Sequence, residues 1–197
     1  MQLLHIDSSI HGDQGVSAIL TAELVALLQA KENLEVKHRD LSSNRIPHLN
    51  AATHGAFGIA REQLSAAQQQ TLTLSDTFIA ELKSSDTIVI GVPMYNFGIP
   101  SELKAWLDHV ARAGETFSYT SAGPKGLLAS KRLIIIATRG GQYQGTAKDT
   151  QSAYLKQVFG FMGLVPEFIY VEGLAMGAHR DQAIDHARQA MAALATG

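Results

Sequence analysis

The sequence predicts a doubly wound parallel α/β sheet of five strands in the order 2-1-3-4-5, with helices on both faces. Three observations predict it. Five short apolar or alternating runs recur along the chain: Leu3–Ile6, Leu34–Arg39, Thr87–Val92, Leu133–Thr138 and Phe168–Val171. Helical stretches separate them, and no repeat, low-complexity segment or linker breaks the alternation, so the 197 residues are expected to form one domain. The loops after strands one, three and four hold an unusual share of glycine, hydroxyl and aromatic residues, and all three open on one edge of such a sheet.

In order, strand one ends at Asp7-Ser-Ser9, and a polar glycine-bearing loop leads to a helix from about Val16 to Leu28. Ile19, Leu20, Leu24, Leu27 and Leu28 are expected on its inner face. Strand, small loop and helix N-terminus make a ready anion site. Ser9 and Ser17 offer hydroxyl donors, and Gly15 lets backbone approach a ligand; serines that only cap the helix are the competing reading. After strand two, residues 41–63 read as a long irregular segment, of a length often tied to function. His48 and His54 within it lack an acidic cluster at ligand spacing, so they read as surface histidines and no metal site is expected. A helix follows over Leu64–Leu82.

The next stretch organises the chain. Thr87–Val92 is an uncharged β-branched run suited to a strand buried on both faces. Pro93–Pro100 encloses Met94, Tyr95, Asn96 and Phe97, which suit a wall against a flat, partly apolar ligand. A loop whose aromatics simply cover the core is the plainer alternative. Leu103, Trp106, Leu107 and Val110 then mark an amphipathic helix with Ser101 as its expected N-cap. Thr116–Gly126 is polar and turn-rich, with Phe117 and Tyr119 able to reach the same pocket. Strand four ends in Thr138, Arg139, Gly140 and Gly141; consecutive glycines expose backbone N–H groups to a ligand, while Arg139 can serve an anion or pair with a carboxylate. Helices are expected over Tyr154–Phe161 and Asp181–Leu194.

Composition excludes several classes. A net charge of −2 leaves no basic excess for nucleic acid. The absence of cysteine removes disulfides, thiol nucleophiles and cysteine-ligated metals. The N-terminus lacks the basic start and apolar core of a signal peptide, and no run approaches the roughly 18 apolar residues of a membrane span, so no membrane association and a cytoplasmic location are expected. In the expected strand order the anion loop and the aromatic loop stand side by side at the switch point. A phosphate on one and a flat heterocycle on the other describe a flavin mononucleotide.

These loops resemble those of the FMN-dependent NADH azoreductases, a flavodoxin-like family that includes quinone reductases. The likeness runs nearly end to end. It is carried by Val92-Pro-Met-Tyr-Asn-Phe97, Ile99-Pro-Ser-Glu-Leu-Lys-Ala-Trp-Leu-Asp108, Gly123-Pro-Lys-Gly-Leu-Leu128, Thr138-Arg-Gly-Gly141 and Val158-Phe-Gly-Phe-Met-Gly163. The resemblance implies phosphate contacts at Ser9 and Gly15, Val16 and Ser17. It places the isoalloxazine ring against Met94–Phe97 and Thr138–Gly141. It implies a homodimer with the flavin at the interface, where Phe117, Tyr119 and Phe161 are candidate substrate-pocket walls; plain core packing is the equal alternative for Phe161. The family often has serine where this chain has Gly15 and a polar residue at Val16, while Thr138 keeps the hydroxyl of a common serine. FMN binding is expected to survive these departures.

The implied activity is two-electron, ping-pong transfer from NADH through FMN to quinones or azo bonds, the cofactor carrying the chemistry. Asn96 and Tyr143 are the expected supporting side chains, as hydrogen-bond donors, and no Ser-His-Asp set or G-x-S-x-G elbow is needed. A flavodoxin-like carrier or FMN redox sensor without NADH turnover is the alternative class. Shuttle flavodoxins tend to be shorter and strongly acidic, which weighs against it. A FAD-dependent quinone reductase is the closer rival, and the serine-bearing first loop, suited to a terminal phosphate, favours FMN.

Overall fold

Strand register positions everything else. In the computed structural model, which describes residues 1–43 and 46–196, Ile6 of β1 (Gln2–Asp7) stands between Arg39 of β2 (Glu35–Asp40) and Ile90 of β3 (Thr87–Pro93). Beyond β3 lie β6 (Arg132–Thr138) and β7 (Pro166–Val171), all parallel, in the order β2-β1-β3-β6-β7. The flavodoxin-like order expected from the sequence is therefore the observed one.

The central strand explains why. All seven residues of β3 are buried, and its side chains alternate between two cores. Ile88, Ile90 and Val92 pack with α3 (Ala66–Ser84), α4 (Ser101–Val110) and α5 (Thr150–Phe161), through Phe78, Trp106 and Phe159 among others. Val89 joins Leu20 and Leu24 of α1 (Val16–Gln29) and Met191 of α6 (His179–Thr196) on the opposite face. Gly91 interrupts the apolar run for a reason: a Cβ there would come within 3.2 Å of the Ser17 carbonyl oxygen. Its absence lets the N-terminus of α1 settle directly onto the strand.

Four local expectations change. Ile19 and Leu27 point outward, at 45% and 38% exposure; the buried face of α1 runs through Ser17, Leu20, Thr21, Leu24, Val25 and Leu28. The helix is apolar nearly all round, so spacing alone could not choose its inner side. Ser101 is the first residue of α4, not its cap; Pro100 takes that position, suited by its fixed φ, and the Ser101 hydroxyl turns to Glu102 instead. The 41–63 segment, whose residues 44 and 45 lie outside the described ones, contains α2 (Ala51–His54) and two single 3₁₀ turns. Asn50 and Thr53 close a reciprocal capping box that starts α2. Finally, Thr116–Gly126 forms an antiparallel hairpin of β4 (Phe117–Thr120) and β5 (Gly123–Gly126).

Candidate functional site

A cleft of about 240 Å³ opens at the carboxyl ends of β1, β3 and β6. It brings together Ser9, Gly15, Val16, Ser17, Met94, Tyr95, Thr138, Arg139 and Gly140, three loops far apart in sequence. The Tyr95 hydroxyl fixes the first two loops side by side: it lies 3.4 Å from Ser9 Oγ and accepts the Ile10 amide at 3.3 Å.

The first loop leaves hydrogen-bond donors unclaimed. Gly15 is the N-cap of α1 and supplies no side-chain cap, so the opening amides of the helix are left for something else. Neither serine caps the helix. Ser17 Oγ is buried with no hydrogen-bond partner, an orphaned hydroxyl at the helix N-terminus. Ser9 Oγ accepts the His11 amide and stands close behind Gly15, where a Cβ would fall 2.6 Å from Ser9 Cβ. Glycine at 15 and serine at 9 are thus fitted to one another. A phosphate would satisfy the Ser17 hydroxyl and the helix amides together.

The second loop is a tight turn. Tyr95 and Gly98 exchange backbone hydrogen bonds of 3.1 and 2.9 Å, with Asn96 (φ 49°) and Phe97 (φ 64°) at the corner. Two consecutive positive φ values are the geometry of a type I′ turn. Asparagine suits the first position, whereas Phe97 is held in a left-handed conformation that costs a side-chain-bearing residue about 1–2 kcal/mol. The first turn of α5 holds it there. Thr150 Oγ1 donates to the Phe97 carbonyl at 2.6 Å, and Gln151 Nε2 donates to the carbonyls of Pro93 and Gly98.

The third loop is anchored from behind. The amides of Leu174, Ala175 and Gly173 donate to the carbonyls of Arg139, Gly140 and Gly141 respectively. Among the described residues the Gly140 and Gly141 amides have no partner. Arg139 resolves the choice left by the sequence in favour of carboxylates. Its side chain is fully buried, paired with Asp149 at 2.9 Å and Glu172 at 3.0 Å, and set over the Tyr170 ring. Glu172 also accepts the amides of Tyr143 and Gln144. Burial pushes the Asp149 carboxyl up, but the Ser152 amide and the Arg139 guanidinium outweigh it and hold it below its ordinary value.

The remaining candidates lie elsewhere. Asn96 is exposed at the turn corner, and Tyr143 sits at the rim with its ring edge-on to Phe97, centroids 5.6 Å apart. Phe117, Tyr119 and Phe161 cluster with one another, the Phe117–Phe161 centroids 4.3 Å apart. Phe117 and Tyr119 line a separate recess with His54 and Phe57, so within one chain they do not reach the cleft. The sequence reading missed Leu174, Ala175 and Arg180, which line the cleft from beyond β7. The signal was available: the loop leaving the fifth parallel strand ends on the same sheet edge.

A doubly wound sheet with a cleft at its switch point, where an uncapped helix N-terminus meets an amide-bearing loop, is the arrangement in which α/β proteins commonly bind mononucleotides. The chain belongs to the family described as flavodoxin-like fold, whose model matches residues 1–195. It is 49% identical over 179 residues to an FMN-dependent NADH:quinone oxidoreductase of Alcanivorax borkumensis, covering 90% of both chains. A protein of the same name from Pseudoalteromonas atlantica is 48% identical, over 89% of this chain and 87% of the relative. Among solved structures, an azoreductase from Bacillus anthracis superposes with a TM-score of 0.90 at 24% identity, covering 99% of this chain and 98% of that one, a likeness of fold.

Proposed function

We infer that this chain is an FMN-dependent NADH:quinone oxidoreductase that also reduces azo compounds. The observation that carries the reading is the cleft itself, where the orphaned Ser17 hydroxyl and uncapped α1 face the amide-bearing 138–141 loop. The relatives' names favour turnover with NADH over a carrier or sensor role. The short cradle, sized for a terminal phosphate, favours FMN over FAD.

Bound FMN would supply the two-electron relay between nicotinamide and acceptor. The chain's residues do the rest. Ser9, Gly15, Val16 and Ser17 hold the phosphate. Met94, Tyr95 and Phe97 form one wall of the slot, and the amides of Gly140 and Gly141 stabilise negative charge on the side they face. Arg139 acts behind this wall, positioning it through Asp149 and Glu172. Asn96 and Tyr143, at the rim, are supporting hydrogen-bond donors in this proposal.

A homodimer belongs to the same proposal. Tyr119 is 74% exposed and stands on the buried Phe117, as suits a residue that reaches a partner's cleft with Phe117 and Phe161 behind it. One flavodoxin-like domain spanning the chain, in the cytoplasm, completes the reading; no helix among the described residues is long and apolar enough to cross a membrane.

The deciding experiment is the visible spectrum of purified protein before and after anaerobic NADH. A flavin band that bleaches, and returns on adding a quinone, supports the oxidoreductase. A band that persists means a carrier needing its own reductase, and no band after soaking with FMN overturns the reading.

A further inference from the structure

On the far side of the anion loop, two histidines and an aspartate converge. His5 and Asp7 are two residues apart on β1 and so share a face of the sheet, and parallel register sets His38 of β2 directly beside His5. His5 Nε2 lies 3.2 Å from Asp7 Oδ1, and His38 Nε2 lies 2.8 Å from Asp7 Oδ2. The nitrogens and a carboxylate oxygen all fall within 4.8 Å of one another. The imidazole rings stand 4.6 Å apart and tilted by 34°.

We propose that His5, Asp7 and His38 form a binding site for a divalent transition metal of the zinc type. Two imidazole nitrogens and one carboxylate are a three-ligand set that leaves a coordination position open, and borderline metals favour such nitrogen-rich sites. Burial provides preorganisation: the side chains of His5 and Asp7 are only 8% and 7% exposed, so their positions are fixed by the sheet. The His38 side chain is 52% exposed, which gives the ion an entry path and the open position a water. Thr21 Oγ1 donates to Asp7 Oδ1 at 2.8 Å and orients the carboxylate from α1, the outer support that metal ligands commonly have. The local field is favourable. Asp40 pairs with Asp7 in register on the same face, while Lys37 and Arg39 turn to the opposite face, toward Glu81. Ligand spacing along the sequence gave no hint of this, because the three residues come from two strands.

The test uses tag-free, FMN-loaded protein stripped with EDTA and desalted, titrated with ZnCl₂ in a calorimeter, with flavin content measured in parallel. One Zn²⁺ per chain is expected, and Co²⁺ should give visible d–d absorption of a low-coordinate nitrogen/oxygen site. His38→Ala, at a half-exposed position, should weaken Zn²⁺ binding by about tenfold or more while leaving flavin content unchanged. Asp7→Asn should do the same, and a His48→Ala/His54→Ala double variant should bind like the parent. Absence of binding, or a His38→Ala variant that binds Zn²⁺ as tightly as the parent, would overturn the site and leave a His–Asp–His hydrogen-bond cluster in its place.

Discussion

Arg139 and Gln151 are joined by one hydrogen bond, Nε to Oε1 at 3.3 Å, and it links two loops that never touch in sequence. Arg139 belongs to the 138–141 loop, while the amide end of Gln151 holds the carbonyls of Pro93 and Gly98 on either side of the aromatic turn. Both side chains are buried, Gln151 at 1% exposure. Replacing Gln151 by leucine would strand the Arg139 Nε–H and the Pro93 carbonyl, while the Gly98 carbonyl would keep only the Tyr95 amide. Leaving buried groups unsatisfied costs about 1–3 kcal/mol. The expected outcome is a lower urea midpoint at unchanged slope, accompanied by weaker FMN binding in a fluorescence titration. A variant with parental FMN affinity would separate the two loops functionally.

Ser17→Ala should act in opposite directions on the free and the loaded protein. The hydroxyl has no partner within the chain, so its removal leaves stability without FMN unchanged or slightly raised. A hydrogen bond to a charged group is worth about 1.5–3 kcal/mol, so FMN dissociation should worsen by about one to two orders of magnitude. Thermal melts with and without FMN read both effects at once. Equal shifts in the two melts would deny the hydroxyl a role in phosphate binding.

Gly15→Ser tests the departure from the resembling family. An added hydroxyl would suggest tighter phosphate binding, yet a Cβ at 15 meets Ser9 Cβ at 2.6 Å. With φ at −68° the backbone tolerates any residue, so the cost is purely steric. Overpacking of this kind costs about 1–3 kcal/mol. FMN binding is expected to weaken, and a second change, Ser9→Gly, should restore much of the loss.

Phe97→Gly should stabilise the fold while harming the site. Glycine relieves the left-handed strain, worth about 1 kcal/mol after its own extra chain entropy is counted. The ring that meets Tyr143 is lost at the same time. A raised melting temperature with slower reduction by NADH, read by stopped flow, is the expected pair.

Asp149 sets a pH limit on the third loop. Its carboxyl sits below the ordinary value of 3.8, because the Ser152 amide and Arg139 overcome the effect of burial. A depressed carboxylate contributes stability that is complete above the unfolded pKa and disappears as pH falls through the folded one. Stability should therefore be flat from about pH 5 upward with respect to this group and decline below about pH 4. Asp149→Asn should flatten that acid limb in urea melts taken across the range.

Legibility followed the range of the interactions. The β3 run from Thr87 is apolar at nearly every position, so its central place could be read directly, and the switch-point rule then placed Ser9 beside Tyr95. Residues whose neighbours are distant in sequence were not readable. Arg139 could be seen as a charge on a loop, but its choice of Asp149 and Glu172 depends on how α5 and β7 meet it. The β4–β5 hairpin was hidden for another reason. It pairs Phe117 with Gly126 and Tyr119 with Pro124, the glycine and proline having little strand character, and Phe117 alone of the two strands is buried.

The three carbonyls drawn backward by Gly173, Leu174 and Ala175 have a consequence for what the slot will admit. A loop fixed in this way can turn only its amides forward, so the surface it offers has one sign, whatever its neighbours do. Guests are sorted by polarity before they are sorted by shape. In the proposed role, a ring edge rich in electrons would be favoured over a cationic one, without any lid having to close.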